Sequence, residues 1–143
     1  MGEGKPVDGV WQRRAWIVED EPAAASLAAD LCDANGTSAS VFRKSLAYLA
    51  AMRAGPAPDV VILDWRLENE LSAALFMATR HRYPRLPIIF WTGNGTDGLP
   101  SMIHDNGYTR VVDKAAGTSP LEEALAWALD DQARPMLGSL PAR

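Results

Sequence analysis

Cysteine is nearly absent: Cys32 stands alone in 143 residues. No internal disulfide can form, and no cysteine-based zinc site can be built. Such a chain suits a reducing compartment, and a cytoplasmic location is expected. Long hydrophobic runs are missing too. The longest clean ones, Val60–Leu63 and Ile88–Trp91, are strand-sized and far short of the ~20 residues needed to span a bilayer. The N-terminal stretch MGEGKPVDGVWQRR lacks the apolar core of a signal peptide. Positive charge is not in excess: 14 Lys and Arg against 18 Asp and Glu leave a net charge of -4. A broadly basic surface for nucleic acid or anionic membranes is therefore excluded. Internal repeats and low-complexity tracts are absent. What is present, 48% hydrophobic and 22% charged residues, is the composition of one globular domain able to bury its own core.

Residues 1–13 mix Gly, Pro and charge without periodicity and read as a flexible lead-in. From Arg14 the chain alternates strand-like and helix-like runs. Ala15–Val18 is a compact apolar strand. Pro22–Asn35 reads as an Ala-rich helix with Leu27, Leu31 and Ala34 on one face, and Gly36 stops it. Ser38–Phe42 reads as a strand, and Ser45–Ala54 as a helix with Leu46, Leu49 and Met52 at helical spacing. Val60–Leu63 is a strand without polar alternation. A helix over Leu71–Arg82 stops at Tyr83-Pro84. Pro87–Trp91 and Tyr108–Val112 are two more strands, separated by a weak segment, Asp97–Asn106, that allows only a short or irregular helix. In Ser119-Pro120-Leu121-Glu122 the spacing predicts a capping box opening the last helix. Residues 134–143 read as a loose tail, leaving a domain over 14–133. Five strands alternating with helices, several of them apolar throughout, predict an α/β fold with a parallel sheet covered on both faces.

Sheets of this kind hold their sites beyond the carboxyl ends of the strands. Glu19, Asp20 and Glu21 follow the first strand, Asp64 the third, Thr92 the fourth and Lys114 the fifth. Clustered hard oxygen ligands suit Mg²⁺. An aspartate beside such a metal is a nucleophile toward phosphorus, and a lysine and a threonine have the chemistry to meet charge developing on a phosphoryl group.

The segments AWIVEDEP, VVILDWRL, IIFWTGN and VVDKAAG, in this order and at this spacing, resemble the receiver domain of two-component response regulators over residues 14–133. The resemblance implies a flavodoxin-like (βα)5 fold, a three-layer sandwich with strand order 2-1-3-4-5. It implies Asp64 as phospho-acceptor and Mg²⁺ held by Asp20, by Glu19 through water, by Asp64 and by the backbone carbonyl of Arg66. Thr92 and Lys114 then contact the phosphoryl group. A sensor histidine kinase or a histidine phosphotransfer protein donates it, and hydrolysis resets the switch. Such a domain is a switch rather than an enzyme with its own substrate. With no room for an output module, it acts on a downstream protein, by relay, or as a homodimer through the face of the fourth helix, fifth strand and fifth helix, where Tyr108, Thr109 and 121–133 would lie.

The chain also departs from the family pattern. Ala115 replaces the proline that normally follows the lysine in a cis peptide. The expectation is therefore either a non-proline cis bond, costing about 3–4 kcal/mol, or a trans loop with Lys114 aimed differently. Glu68 and Ser72 stand where Pro and Gly are usual, and Val111 where an aromatic switch residue is usual. Arg66 and Asn94 flank the expected path of hydrolytic water and are expected to tune the phosphoryl lifetime. The missing proline, the missing aromatic and the altered loop after Asp64 favour a competing reading, a phosphorylation-independent interaction module, while the intact acid pair, Asp64, Thr92 and Lys114 disfavour it. A haloacid dehalogenase-type phosphohydrolase is disfavoured, because it needs an acid where Arg66 stands. Outside the strand ends, Trp65 and Trp91 read as packing and Cys32, Met52, Met77 and Met102 as core. Arg80, His81, Arg82 and Arg85 read as a basic helix end, and His104 as surface.

Overall fold

The computed structural model describes residues 6–7, 10–11, 13–67, 70–93 and 107–130. Short strands β1 (Pro6–Val7) and β2 (Val10–Trp11) pair antiparallel within the expected lead-in. Strands β3 (Arg13–Val18), β4 (Thr37–Phe42), β5 (Val60–Leu63), β8 (Ile88–Thr92) and β9 (Thr109–Asp113) form one parallel sheet in the order β4-β3-β5-β8-β9. That is the 2-1-3-4-5 order. Between β5 and β8 lie β6 (Arg66–Leu67) and β7 (Glu70–Leu71), a two-stranded antiparallel ribbon. The helices are α1 (Pro22–Ala34), α2 (Ser45–Ala54), α3 (Ala73–Arg82) and α4 (Ser119–Leu129), with a 3₁₀ turn at Lys114–Ala116. The expected weak helix over 97–106, with Met102 and His104, and the 134–143 tail lie outside the described residues, as do Glu68 and Asn94.

The uninterrupted apolar strands are explained by two cores, one on each face. Ala15, Ile17, Val60, Ile62, Ile89 and Trp91 pack with α1 and α4. Their neighbours Trp16, Val18, Val61, Leu63, Ile88 and Phe90 pack with α2 and α3. Period-two alternation thus sends successive side chains into different cores. Cys32 is fully buried in the first core, and burial pushes its thiol up to about 11.

Three helix faces differ from expectation. In α1 the buried residues are Ala24, Ala25, Ala28 and Cys32, while Leu27 is 39% exposed. Small side chains bring the helix close to the sheet and push the leucine outward. In α2 the inward residues are Tyr48 and Met52, and Leu46 is 79% exposed. Tyr48 sets that rotation: its ring meets Trp16 and Phe42 edge-to-face, and its hydroxyl pairs with Thr79 of α3 at 2.6 Å. Met77 of α3 is exposed rather than core. The predicted capping box does not form either. Thr118 occupies the cap position of α4 with its backbone carbonyl accepting from Glu122 N–H, which places Ser119 inside the first turn.

Candidate functional site

The strand ends converge as the spacing predicts, and the backbone ladder continues past the strands to hold them. Glu19 N–H donates to Phe42 O at 3.0 Å, and Asp64 N–H donates to Val18 O at 3.1 Å. These bonds set Glu19, Asp20 and Asp64 side by side at the end of the central strands. One ligand oxygen from each of the three carboxylates lies within 4.8 Å of the others. Glu19 and Asp64 are buried, and Asp20 is partly exposed.

Lys114 supplies the balancing charge. Its Nζ donates to Glu19 Oε1 at 2.8 Å and lies 3.7 Å from Asp64 Oδ2. The second Glu19 oxygen, Oε2, accepts from Glu21 N–H, so both oxygens of this buried carboxylate are engaged. The backbone that carries Lys114 settles the choice left open by Ala115. No peptide bond among the described residues is cis. Asp113 Oδ1 accepts the Ala115 N–H at 2.9 Å and Gly117 N–H donates to Lys114 O, forming the 3₁₀ turn. A proline at 115 has no N–H for that cap. The loop is trans, and Lys114 still reaches the crevice.

Thr92 ends β8, fully buried and in register with Asp113. Val111 lies on β9, so no aromatic stands at its position. Arg66 lies in β6, just past Asp64. The chain between Asp64 and α3, where Pro and Gly were missing, is the β6–β7 ribbon, and Ser72 anchors it. The fully buried Ser72 hydroxyl donates to the Asp64 backbone carbonyl, and Ser72 N–H donates to Trp65 O. From the sequence alone Ser72 is only a departure from the usual glycine. Its signal was the hydroxyl itself, which a glycine could not supply. On the proposed partner face Thr109 is buried and accepts from Arg80, so it offers no surface; Arg110, exposed on β9, stacks over Trp127 of α4 with 4.7 Å from Cζ to the ring centroid.

Hard carboxylates around one point fit a small divalent cation such as Mg²⁺ in donor type and closeness. The whole arrangement sets the Asp64 carboxylate beside the Lys114 ammonium and two further carboxylates.

A profile of the response regulator receiver domain matches residues 15–126. None of the curated protein sequences compared with the chain matches it. Among solved structures, the chain is similar to a CheY-like response regulator receiver domain from Methylobacillus flagellatus, 23% identical, with TM-score 0.68, 82% of this chain and 98% of that one covered. It is also similar to response regulator TrrA of Thermotoga maritima in complex with Mg²⁺ and BeF (22% identity, TM-score 0.70, 82% and 100% covered). A receiver domain protein from Clostridium thermocellum aligns at 17% identity with TM-score 0.72 over 84% and 96%. At these identities the likeness to solved structures is one of fold.

Proposed function

The chain belongs to the response regulator receiver domain family, and from that premise we propose that it is a phosphorylation switch whose acceptor is Asp64. The observation that carries this reading is the meeting of the Glu19, Asp20 and Asp64 oxygens within 4.8 Å with Lys114 Nζ at 3.7 Å from Asp64. Clustered like charges are costly and favour a functional site over chance. Members of the family act as signalling switches rather than as enzymes with a separate substrate.

A carboxylate oxygen of Asp64 attacks the phosphorus of a phosphohistidine on a histidine kinase or phosphotransfer protein. The O–P bond forms as the N–P bond breaks, and the imidazole leaves with the electron pair and takes up a proton. Lys114 meets the charge on the transferred oxygens, and the Thr92 hydroxyl on the next strand is the second donor. Asp20, Asp64 and the Arg66 carbonyl would hold Mg²⁺, with Glu19 behind a water; the engaged Glu19 oxygens support that division. When bound, Mg²⁺ neutralises phosphoryl charge. Output passes to a downstream protein, to a phosphorelay partner, or through a homodimer on the face of β9 and α4.

Beryllofluoride, which stands in for the phosphoryl group on aspartate, tests this. Trp65 adjoins Asp64, and titration should give a saturable, Mg²⁺-dependent fluorescence change that Asp64→Ala abolishes. Acetyl phosphate should add one phosphoryl mass to wild type and none to the variant. A flat titration with no mass gain overturns the switch and leaves a phosphorylation-independent interaction module.

A further inference from the structure

Trp91 lies against the crevice without a part in the reading above. It is 3% exposed, within the core shared by α1 and α4, and its indole Nε1 has no hydrogen-bond partner among the described residues. A buried donor without an acceptor is a cost that a phenylalanine or leucine here would avoid. Filling the core therefore does not account for an indole. What the ring does face is a cation: Lys114 Nζ is 5.1 Å from its centroid, inside the roughly 6 Å reach of a cation–π contact, which is strongest for tryptophan. The two residues sit at the ends of adjacent strands, where Trp91 pairs with Val112. Lysine has a long stem with many rotamers, and here its turn is a capped trans loop. The ion pair with Glu19 draws the ammonium inward, and the Trp91 ring adds an attraction that does not depend on a carboxylate.

We propose that Trp91 is a positioning residue whose ring face holds the Lys114 ammonium over the crevice, within reach of Glu19 and Asp64. This rests on Lys114 being the partner of the phosphoryl group, and it adds a specific reason for an aromatic at position 91. Leucine is apolar but offers no ring face to the cation, whereas phenylalanine would keep part of the attraction and remove the orphan donor.

The placement is read first without any phosphoryl analogue. In ¹³C-lysine spectra, where only Lys5, Lys44 and Lys114 give signals, the Lys114 ε-methylene should show an upfield ring-current shift. Trp91→Phe should retain most of it and Trp91→Leu should lose it. Thermal melting of each variant separates this from misfolding. The consequence is then read as beryllofluoride affinity with Mg²⁺, followed by calorimetry. Trp91→Leu should weaken it about threefold to fivefold, Trp91→Phe should restore most of it, and in a Lys114→Ala background Trp91→Leu should change nothing further. An unshifted Lys114 signal in the wild type overturns the proposal. So does a loss of affinity that persists at full size in the Lys114→Ala background, since Trp91 would then act through packing. If the wild type shows the shift but binds no beryllofluoride, the switch reading falls while the placement of Lys114 by Trp91 stands.

Discussion

A guanidinium at a helix end shows how far a single side chain can depart from its sequence context. Arg80, His81 and Arg82 close α3 and read as cations favoured by the helix dipole. Arg80 instead turns inward. Its Nη1 donates to the carbonyls of Tyr83, Pro84 and Leu86, and its Nη2 to Tyr108 O at 2.9 Å and Thr109 Oγ1 at 2.8 Å. Its Cζ also lies 5.7 Å from the Phe76 ring centroid. Burial pushes this guanidinium down to about 10, which leaves it charged at physiological pH. No local pattern could reveal this, because two of its acceptors lie far along the chain, at the start of β9. A lysine carries the charge but not the planar fork. Arg80→Lys should strand several carbonyls and destabilise the fold by about 2–3 kcal/mol, seen as a lower midpoint in urea with an unchanged slope. An unchanged midpoint would show that water replaces the fork.

Among the elements, the long apolar ones were legible because the pattern of an all-buried strand survives any change of neighbour. Val60–Leu63 is such a strand, with the same bounds in sequence and structure. The β6–β7 ribbon pairs Arg66-Leu67 with Glu70-Leu71, and elements of two residues carry too little periodicity to be legible in sequence. In α1 and α2 the leucine spacing holds for Leu31, Leu49 and Met52 but not for Leu27 and Leu46, which lie outward. Leucine spacing marks a face, but Tyr48 with an aromatic cluster and a hydroxyl partner outweighs Leu46. The 3₁₀ turn after β9 is the element on which the site most depends. Its Asp113 cap does locally what a proline does elsewhere by covalent restriction. Asp113→Ala should lower stability by about 1 kcal/mol and weaken beryllofluoride affinity several-fold, while Asp113→Asn, which keeps the acceptor, should restore both. Equal loss in the two variants would point to the charge of Asp113 rather than its cap.

At the scale of the molecule, alternating apolar strands and helices imply a sheet with two covered faces, and that topology alone locates the crevice where the acids gather. The sequence therefore disclosed the fold class and the identity of the clustered acids and lysine. The trans turn, the Ser72 anchor and the Trp91–Lys114 contact needed coordinates. The same topology sets a conflict between stability and function. Three carboxylates are drawn together in a chain already at -4, and one ammonium, 2.8 Å from Glu19, offsets part of their repulsion. The proposed switch requires that charge, whereas folding does not. Asp20→Asn keeps shape and removes one negative charge from the least buried of the three, so it should raise the melting temperature by a few degrees, about 1 kcal/mol. Mg²⁺ should then reverse the order. By mass action a cation that binds only the folded state stabilises it in proportion to its affinity, so the wild type should gain with rising Mg²⁺ and the variant should barely respond. The two melting curves, plotted against Mg²⁺ concentration, should cross. If Asp20→Asn melts lower than wild type in metal-free buffer, Asp20 is held by contacts that outweigh its repulsion, and the crevice is not the strained part of this fold.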